Sequence, residues 1–155
     1  MDTYQINIKP VPYLRMTQAD RAWKNKLRSK KPNVRKRAER VRKYMEYKEA
    51  IRWAIKLNRI PLGGMIVLSF NIQMPKSKKK YHVEGGPHMI KPDVDNLLKA
   101  FMDAAKKEDS DIHIIFARKT WSKKPAVKVV VPTPDEIASI EGLIDSFKIN
   151  KTLCL

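Results

Sequence analysis

Apolar and polar residues alternate over Tyr4-Gln5-Ile6-Asn7-Ile8, the period of a strand with one wet face, and Pro10 and Pro12 stop it. Residues 13–33 have no clear period and predict an irregular or partly helical stretch. From Val34 to Leu57 there is neither Pro nor Gly. Val41, Tyr44, Met45, Ile51 and Ile55 trace a helix-period stripe there, which predicts one long helix or two short ones. Met65–Met74 begins as a continuous apolar run and ends in alternation, a strand first buried on both faces. A basic, Gly-containing loop follows over Pro75–Lys80 and Glu84–Pro87, then a helix from about Val94 to Ala105. Ile112–Lys119 and Ala126–Val131 read as strands joined in a hairpin across Ser122–Pro125. A last helix over Pro134–Phe147 has Thr133 as N-cap and Glu136 three residues on. The order β-α-β-α-β-β-α predicts an α+β fold, a mixed sheet of about four strands with flanking helices.

Composition changes the picture mainly through charge. The 155 residues fit one domain, 1–155, with a basic helical segment at about 20–58. Lys and Arg exceed Asp and Glu by 33 to 16, a net charge of +17, which calls for a polyanionic partner such as nucleic acid or an anionic membrane. The long helix has only a modest apolar face, which argues against its lying on a membrane. No apolar run approaches the ~18 residues of a membrane span. The start of the chain lacks the basic-then-apolar pattern of a secretory signal, and the single cysteine, Cys154, excludes a disulfide framework. The expectation is a soluble cytoplasmic protein.

The two signs are segregated. Arg21–Lys80 holds 20 Lys and Arg against Glu39, Glu46 and Glu49, whereas six acids fall between Asp93 and Asp111. In Pro92-Asp93-Val94-Asp95-Asn96-Leu97-Leu98-Lys99, Asp93 suits the N-cap and Asp95 the first turn, where the helix dipole favours negative charge. Val94, Leu97, Leu98, Phe101, Met102 and Ala105 share one side of the helical wheel, while Asp95, Lys99 and Asp103 line the other. Two readings stand side by side. In one, Asp93 caps the helix and Asp95–Lys99 is an exposed pair worth ~0.3–0.5 kcal/mol. In the other, Asp93, Asp95 and a carboxylate opening the next strand, Asp109 or Asp111, bind Mg²⁺, which takes hard oxygen ligands and substrate phosphate. Lys99 then faces charge developing on the phosphate.

The stretch Lys91-Pro-Asp-Val-Asp-Asn-Leu-Leu-Lys-Ala-Phe-Met-Asp-Ala, followed by Glu108-Asp109-Ser110-Asp111-Ile112 and Lys119, resembles the core motif of the RusA family of Holliday junction resolvases. The match covers about thirty residues, with a weaker likeness over Ile6–Thr17. The resemblance implies that Asp93 and Asp95 are metal-binding aspartates, Lys99 the functional lysine and Asp109 the third catalytic carboxylate. It also implies Mg²⁺ dependence, a homodimer and paired nicks across four-way DNA junctions. The sequence departs from the family in Glu108, where Asp is usual, and in the short connection Ala104–Lys107, so Asp111 stays a reserve third ligand.

Sequence-independent phosphate binding falls to Lys76, Lys78, Lys79 and Lys80 on the loop and to Arg35, Arg37 and Arg40 on the long helix, joined there by Lys36, Arg42 and Lys43. Trp23, Trp53 and Trp121 read as packing residues, and His82, His88 and His113 are not spaced as a zinc or nucleophile–base set. The competing function is a non-catalytic nucleic-acid-binding protein, which needs the basic face but not the acids.

Overall fold

The computed structural model describes residues 1–75, 82–105 and 111–152, with side chains to residue 143. Strand β1 is Asp2–Ile6; a 3-10 turn (Gln18–Ala22) leads into the short helix α1 (Trp23–Lys26) and then the long helix α2 (Pro32–Leu57). Strand β2 (Gly64–Gln73), helix α3 (Val94–Ala105), strands β3 (Ile112–Ser122) and β4 (Ala126–Val131), and helix α4 (Pro134–Thr152) complete the order. The α+β expectation holds, and of the two alternatives left open for the basic segment, one long helix is the one that forms.

The sheet runs β1-β4-β2-β3. Central β2 pairs in parallel with β3 and antiparallel with β4, while β4 pairs antiparallel with β1. The expected β3–β4 hairpin does not form: β2 lies between the two strands. The physical reason is burial. Met65, Ile66, Leu68 and Phe70 are fully buried, so β2 is covered on both faces and takes a partner on each edge. The Ser122–Pro125 connection instead passes the end of β2, where Met74 N donates to Ser122 O at 2.9 Å.

On one face of the sheet, Ile66, Leu68, Phe70, Val127 and Val129 share a core with Val41, Tyr44, Tyr47 and Ile51 of α2 and Leu97, Ala100, Phe101 and Ala104 of α3. Each fully buried Leu, Ile or Phe contributes roughly 1.5–3 kcal/mol. On α3, Leu97 and Phe101 of the predicted stripe are buried, but Ala100 and Ala104 complete the buried face while Leu98, Met102 and Ala105 are only half-buried, so the face is turned from the expected one. On α2, Tyr47 completes the turn between Tyr44 and Ile51, whereas Trp53 is off the stripe and 69% exposed, a surface residue and not the expected packing one. Polar contacts also join the two helices. Tyr44 Oη donates to Asp103 Oδ2 at 2.5 Å, Lys48 Nζ does so at 2.7 Å, and Arg52 Nε donates to the Ala104 carbonyl at 3.1 Å. Burial alone would raise the Asp103 carboxyl, but Lys48 and Tyr44 outweigh it and hold it below the usual carboxylate range.

Arg37 is not among the free cations of α2. Its Nε and Nη2 grip Asp20 at 3.1 and 2.7 Å, and Nη2 also donates to the Arg15 carbonyl at 2.8 Å. Asp20 in turn accepts from Thr17 N and Oγ1. This cluster fastens the N-terminal segment to α2 and gives Arg37 a structural tie; Arg35 and Arg40 are exposed. Arg37, then the Thr17 N–H, hold the Asp20 carboxyl far below its ordinary value. A depressed carboxylate stabilises the fold above its unfolded pKa of about 3.9 and loses that stabilisation as pH falls below it. Arg37→Ala is expected to cost ~2 kcal/mol in urea unfolding at pH 7. The gap from the parent should narrow below about pH 4; a gap independent of pH would assign Arg37 a packing role instead.

Candidate active site

Helix α3 begins where the chain leaves Pro92, after a cis Lys91–Pro92 peptide. Leu97 N donates to the Asp93 carbonyl at 3.2 Å, which puts Asp93 at the N-cap as its sequence context predicts. Asp95 lies in the first turn, and both aspartates are exposed. Lys99 sits one turn further on, its Nζ 3.4 Å from Asp95 Oδ2, with the two side chains 62% and 59% exposed. At that exposure the ion pair adds little stability, and the ammonium stays open to an incoming anion. The helix is aimed by its buried face and held on its other side by Tyr13 N, which donates to the Asn96 carbonyl at 2.9 Å.

A second support comes from the sheet. Residues 82–93 run as a strap along the outer edge of β3. Pro87 pairs with Thr120, His88 N donates to Lys119 O at 3.1 Å, and Trp121 N donates to Gly86 O at 2.9 Å. Gly85 adopts φ +76°, a backbone that L side chains rarely take, and donates its N–H to Trp121 O at 2.8 Å. Trp121 is buried between the rings of His82 and His88, at centroid distances of 4.5 and 4.1 Å, so it is a packing residue. Burial and then the nearby Lys119 charge push His88 below its ordinary pKa, favouring the neutral ring. Lys119 closes the strap: its Nζ donates to the carbonyls of Ile90 and Pro92, both at 2.7 Å. The second of these carbonyls immediately precedes Asp93. Sequence reasoning noted Lys119 but gave it no task, and beside Arg118 nothing in the strand singled it out.

The structure places Asp93 at the N-cap of α3, Asp95 in its first turn and Lys99 one turn further on, with Lys99 and Asp95 in contact. It does not bring Asp111 to them. Asp111 O accepts from Gly64 N at 2.7 Å, at the start of β2 and β3. Lys119, which reaches the α3 entrance, lies seven strand residues beyond Ile112, or ~23 Å. Asp109 lies outside the described residues, as do Glu108, Lys76, Lys78, Lys79 and Lys80. Among the described residues no three His, Cys, Asp or Glu side chains converge as a closed metal site. Two adjacent exposed carboxylates nonetheless fit the usual Mg²⁺ arrangement, in which one or two carboxylates are completed by water and substrate phosphate.

A family model described as "Endodeoxyribonuclease RusA" matches residues 13–132. No curated protein sequence matches the chain. No helix among the described residues is long and apolar enough to cross a membrane. The matched span takes in the N-terminal tie, α2, the strap, α3, β3 and β4, so it covers every element that positions Asp93 and Asp95.

Proposed function

Because the chain belongs to the RusA endodeoxyribonuclease family, we propose that it is a Mg²⁺-dependent nuclease that resolves four-way DNA junctions by paired nicks, acting as a homodimer in recombination and repair. The observation that carries this reading is two exposed carboxylates at the start of α3, Asp93 at the N-cap and Asp95 in the first turn, in a protein of net charge +17. A surface that only bound DNA would gain nothing from carboxylates facing phosphate.

Asp93 and Asp95 would hold the cation, with Asp109 as the third carboxylate. A bound divalent cation would supply Lewis-acid activation of water and offset charge on the scissile phosphate. Lys99, steered by Asp95, presents an ammonium to charge developing on the phosphate or leaving group. Asp111 is at the far end of α3 from Asp93, and Asp109 precedes it by only two residues in the sequence, so a third carboxylate from this pair would come from a second copy of the chain. A two-fold dimer also suits a pseudo-two-fold junction, because it presents one site to each of two strands. Arg35 and Arg40, with the loop lysines Lys76, Lys78, Lys79 and Lys80, provide sequence-independent phosphate contacts, each lowering the salt slope of binding by about 0.9.

The test is incubation with a labelled synthetic junction, linear duplex and single strand, with and without Mg²⁺. Symmetric nicks in the junction alone, present only with divalent metal, are the expected result. Equal cutting of flaps, forks and junctions would make the protein a general branched-DNA nuclease. Tight binding with no nicking in any divalent metal would make it a binding protein.

A further inference from the structure

Beside the α3 entrance lies a cleft of about 480 Å³ that the nuclease reading leaves unused. One wall is the N-terminal segment with Pro10, Pro12 and Tyr13; the other is α2 with Tyr44 and Tyr47. Tyr13 is 40% exposed and meets Tyr44 edge-on, their centroids 6.0 Å apart at 89°. Lys9, Arg40 and Lys43 also line the cleft and are exposed; its one carboxylate, Glu46, is shared with Arg42 at 3.8 Å. Tyr44 spends its hydroxyl on Asp103, but the buried Tyr47 hydroxyl has no hydrogen-bond partner among the described residues. Tyr44 and Tyr47 are each 1% exposed and back the cleft, so Tyr13 is the tyrosine ring that opens into it.

These features favour one chemistry: a flat apolar group against Tyr13 and the prolines, and an attached anion for Arg40 and Lys43. A nucleotide has both. The position adds to the case, because Tyr13 N is bonded to Asn96 O, one residue from Asp95. A base held here belongs to the same DNA segment that the carboxylates address. We infer that the cleft receives one unstacked nucleobase from the branch point, its flanking phosphate resting on Arg40 and Lys43. Stacking on aromatic rings tolerates every base, so the subsite reads the presence of an unpaired base and not its identity. The inference rests on branched DNA being the substrate.

The experiment measures junction binding by fluorescence anisotropy without divalent metal, using the full chain. Junctions carrying an abasic site at each branch position in turn are compared with the intact junction. At one branch position per site, wild-type affinity is expected to fall about 10-fold. Tyr13→Ala should weaken binding of the intact junction by about the same factor, and in that variant the abasic site should cost nothing more. A 2-aminopurine at the same position should be shielded from acrylamide by the wild-type protein, a reading that does not depend on how the variant folds. Additive losses from the abasic site and Tyr13→Ala would overturn the proposal, as would 2-aminopurine open to quencher at every branch position. A change of sedimentation with Tyr13→Ala would also overturn it, by assigning the cleft to a contact between copies. Adding Mg²⁺ to the same samples separates the two readings: binding that shows the base effect without cleavage sinks the nuclease assignment and keeps the subsite. Cleavage without the base effect does the reverse.

Discussion

Asp93→Asn is expected to bind four-way junctions as tightly as the parent, or slightly more tightly, and to cut them at least ~10³-fold more slowly at saturating Mg²⁺, a loss of about 4 kcal/mol of transition-state stabilisation. The asparagine keeps the shape and removes one negative charge. Binding is carried by the Lys and Arg surplus, so losing an anion beside the DNA cannot weaken it electrostatically. Folding is also spared. Asp93 is exposed, and its contribution to α3 is the backbone carbonyl that accepts from Leu97, which asparagine retains. Melting temperature therefore separates a chemical defect from a structural one. Unchanged cleavage by this variant would remove Asp93 from the metal-ligand set, and with it the main support for a two-aspartate site. Asp95→Asn should show the same split, with one addition: Lys99 loses the partner 3.4 Å away that steers it.

Lys119→Met is expected to reduce cleavage roughly 10–100-fold at saturating Mg²⁺ while leaving junction affinity within a few-fold of the parent, the size of effect seen when groups that orient metal ligands are removed. Methionine keeps the length and apolar stem but leaves the Ile90 and Pro92 carbonyls without their shared donor. The peptide that delivers Asp93 is then held only by the rest of the strap, and a displacement on the order of 1 Å at the reacting groups costs about 10²-fold. Lys119→Arg restores a donor and a charge, and it should recover part of the rate. If Lys119 instead contacted DNA, the methionine variant would lose affinity and show a shallower salt dependence with its turnover intact. Those two patterns do not overlap, so a single titration of rate against DNA concentration decides between them.

How much of this was legible in the chain differs from element to element. The bounds of helix α3 were readable from its proline-led start and acidic first turn, whereas its buried face takes in Ala100 and Ala104, which the apolar stripe left out. The capping box of α4 was equally clear, with Thr133 N and Oγ1 both donating to Glu136. The strand pairing was not. A short turn between two apolar runs favours local pairing, but the fully buried β2 competes for both strands and wins, and the competition is invisible in any window of a dozen residues. The strap was missed for a related reason. Its backbone bonds to β3 involve Gly85, Gly86, Pro87 and His88, residues with no strand propensity that nonetheless lie on a sheet edge. Arg37 looked like its exposed neighbours Arg35 and Arg40, because charge alone does not reveal that Asp20 waits seventeen residues upstream. Trp53 was readable and misjudged: it stands two residues from Ile51, nearly opposite the buried stripe.

The β1–β4 pairing also sets an order of events during synthesis. Asp2–Ile6 is made first, yet its partners are Val127–Val131. Until those residues leave the ribosome, β1 has no strand to join, and the ladder that closes the sheet must form across nearly the whole chain. Such distant pairing is slow, because the connecting loop loses its entropy before any contact rewards it. The α2–α3 pair and the parallel β2–β3 unit need only the residues between them and are complete earlier. The earliest-made of the four strands therefore has no ladder partner until β4 is made, whereas the residues of the Asp20–Arg37 tie, which fastens the N-terminal segment to α2, are all in place well before then.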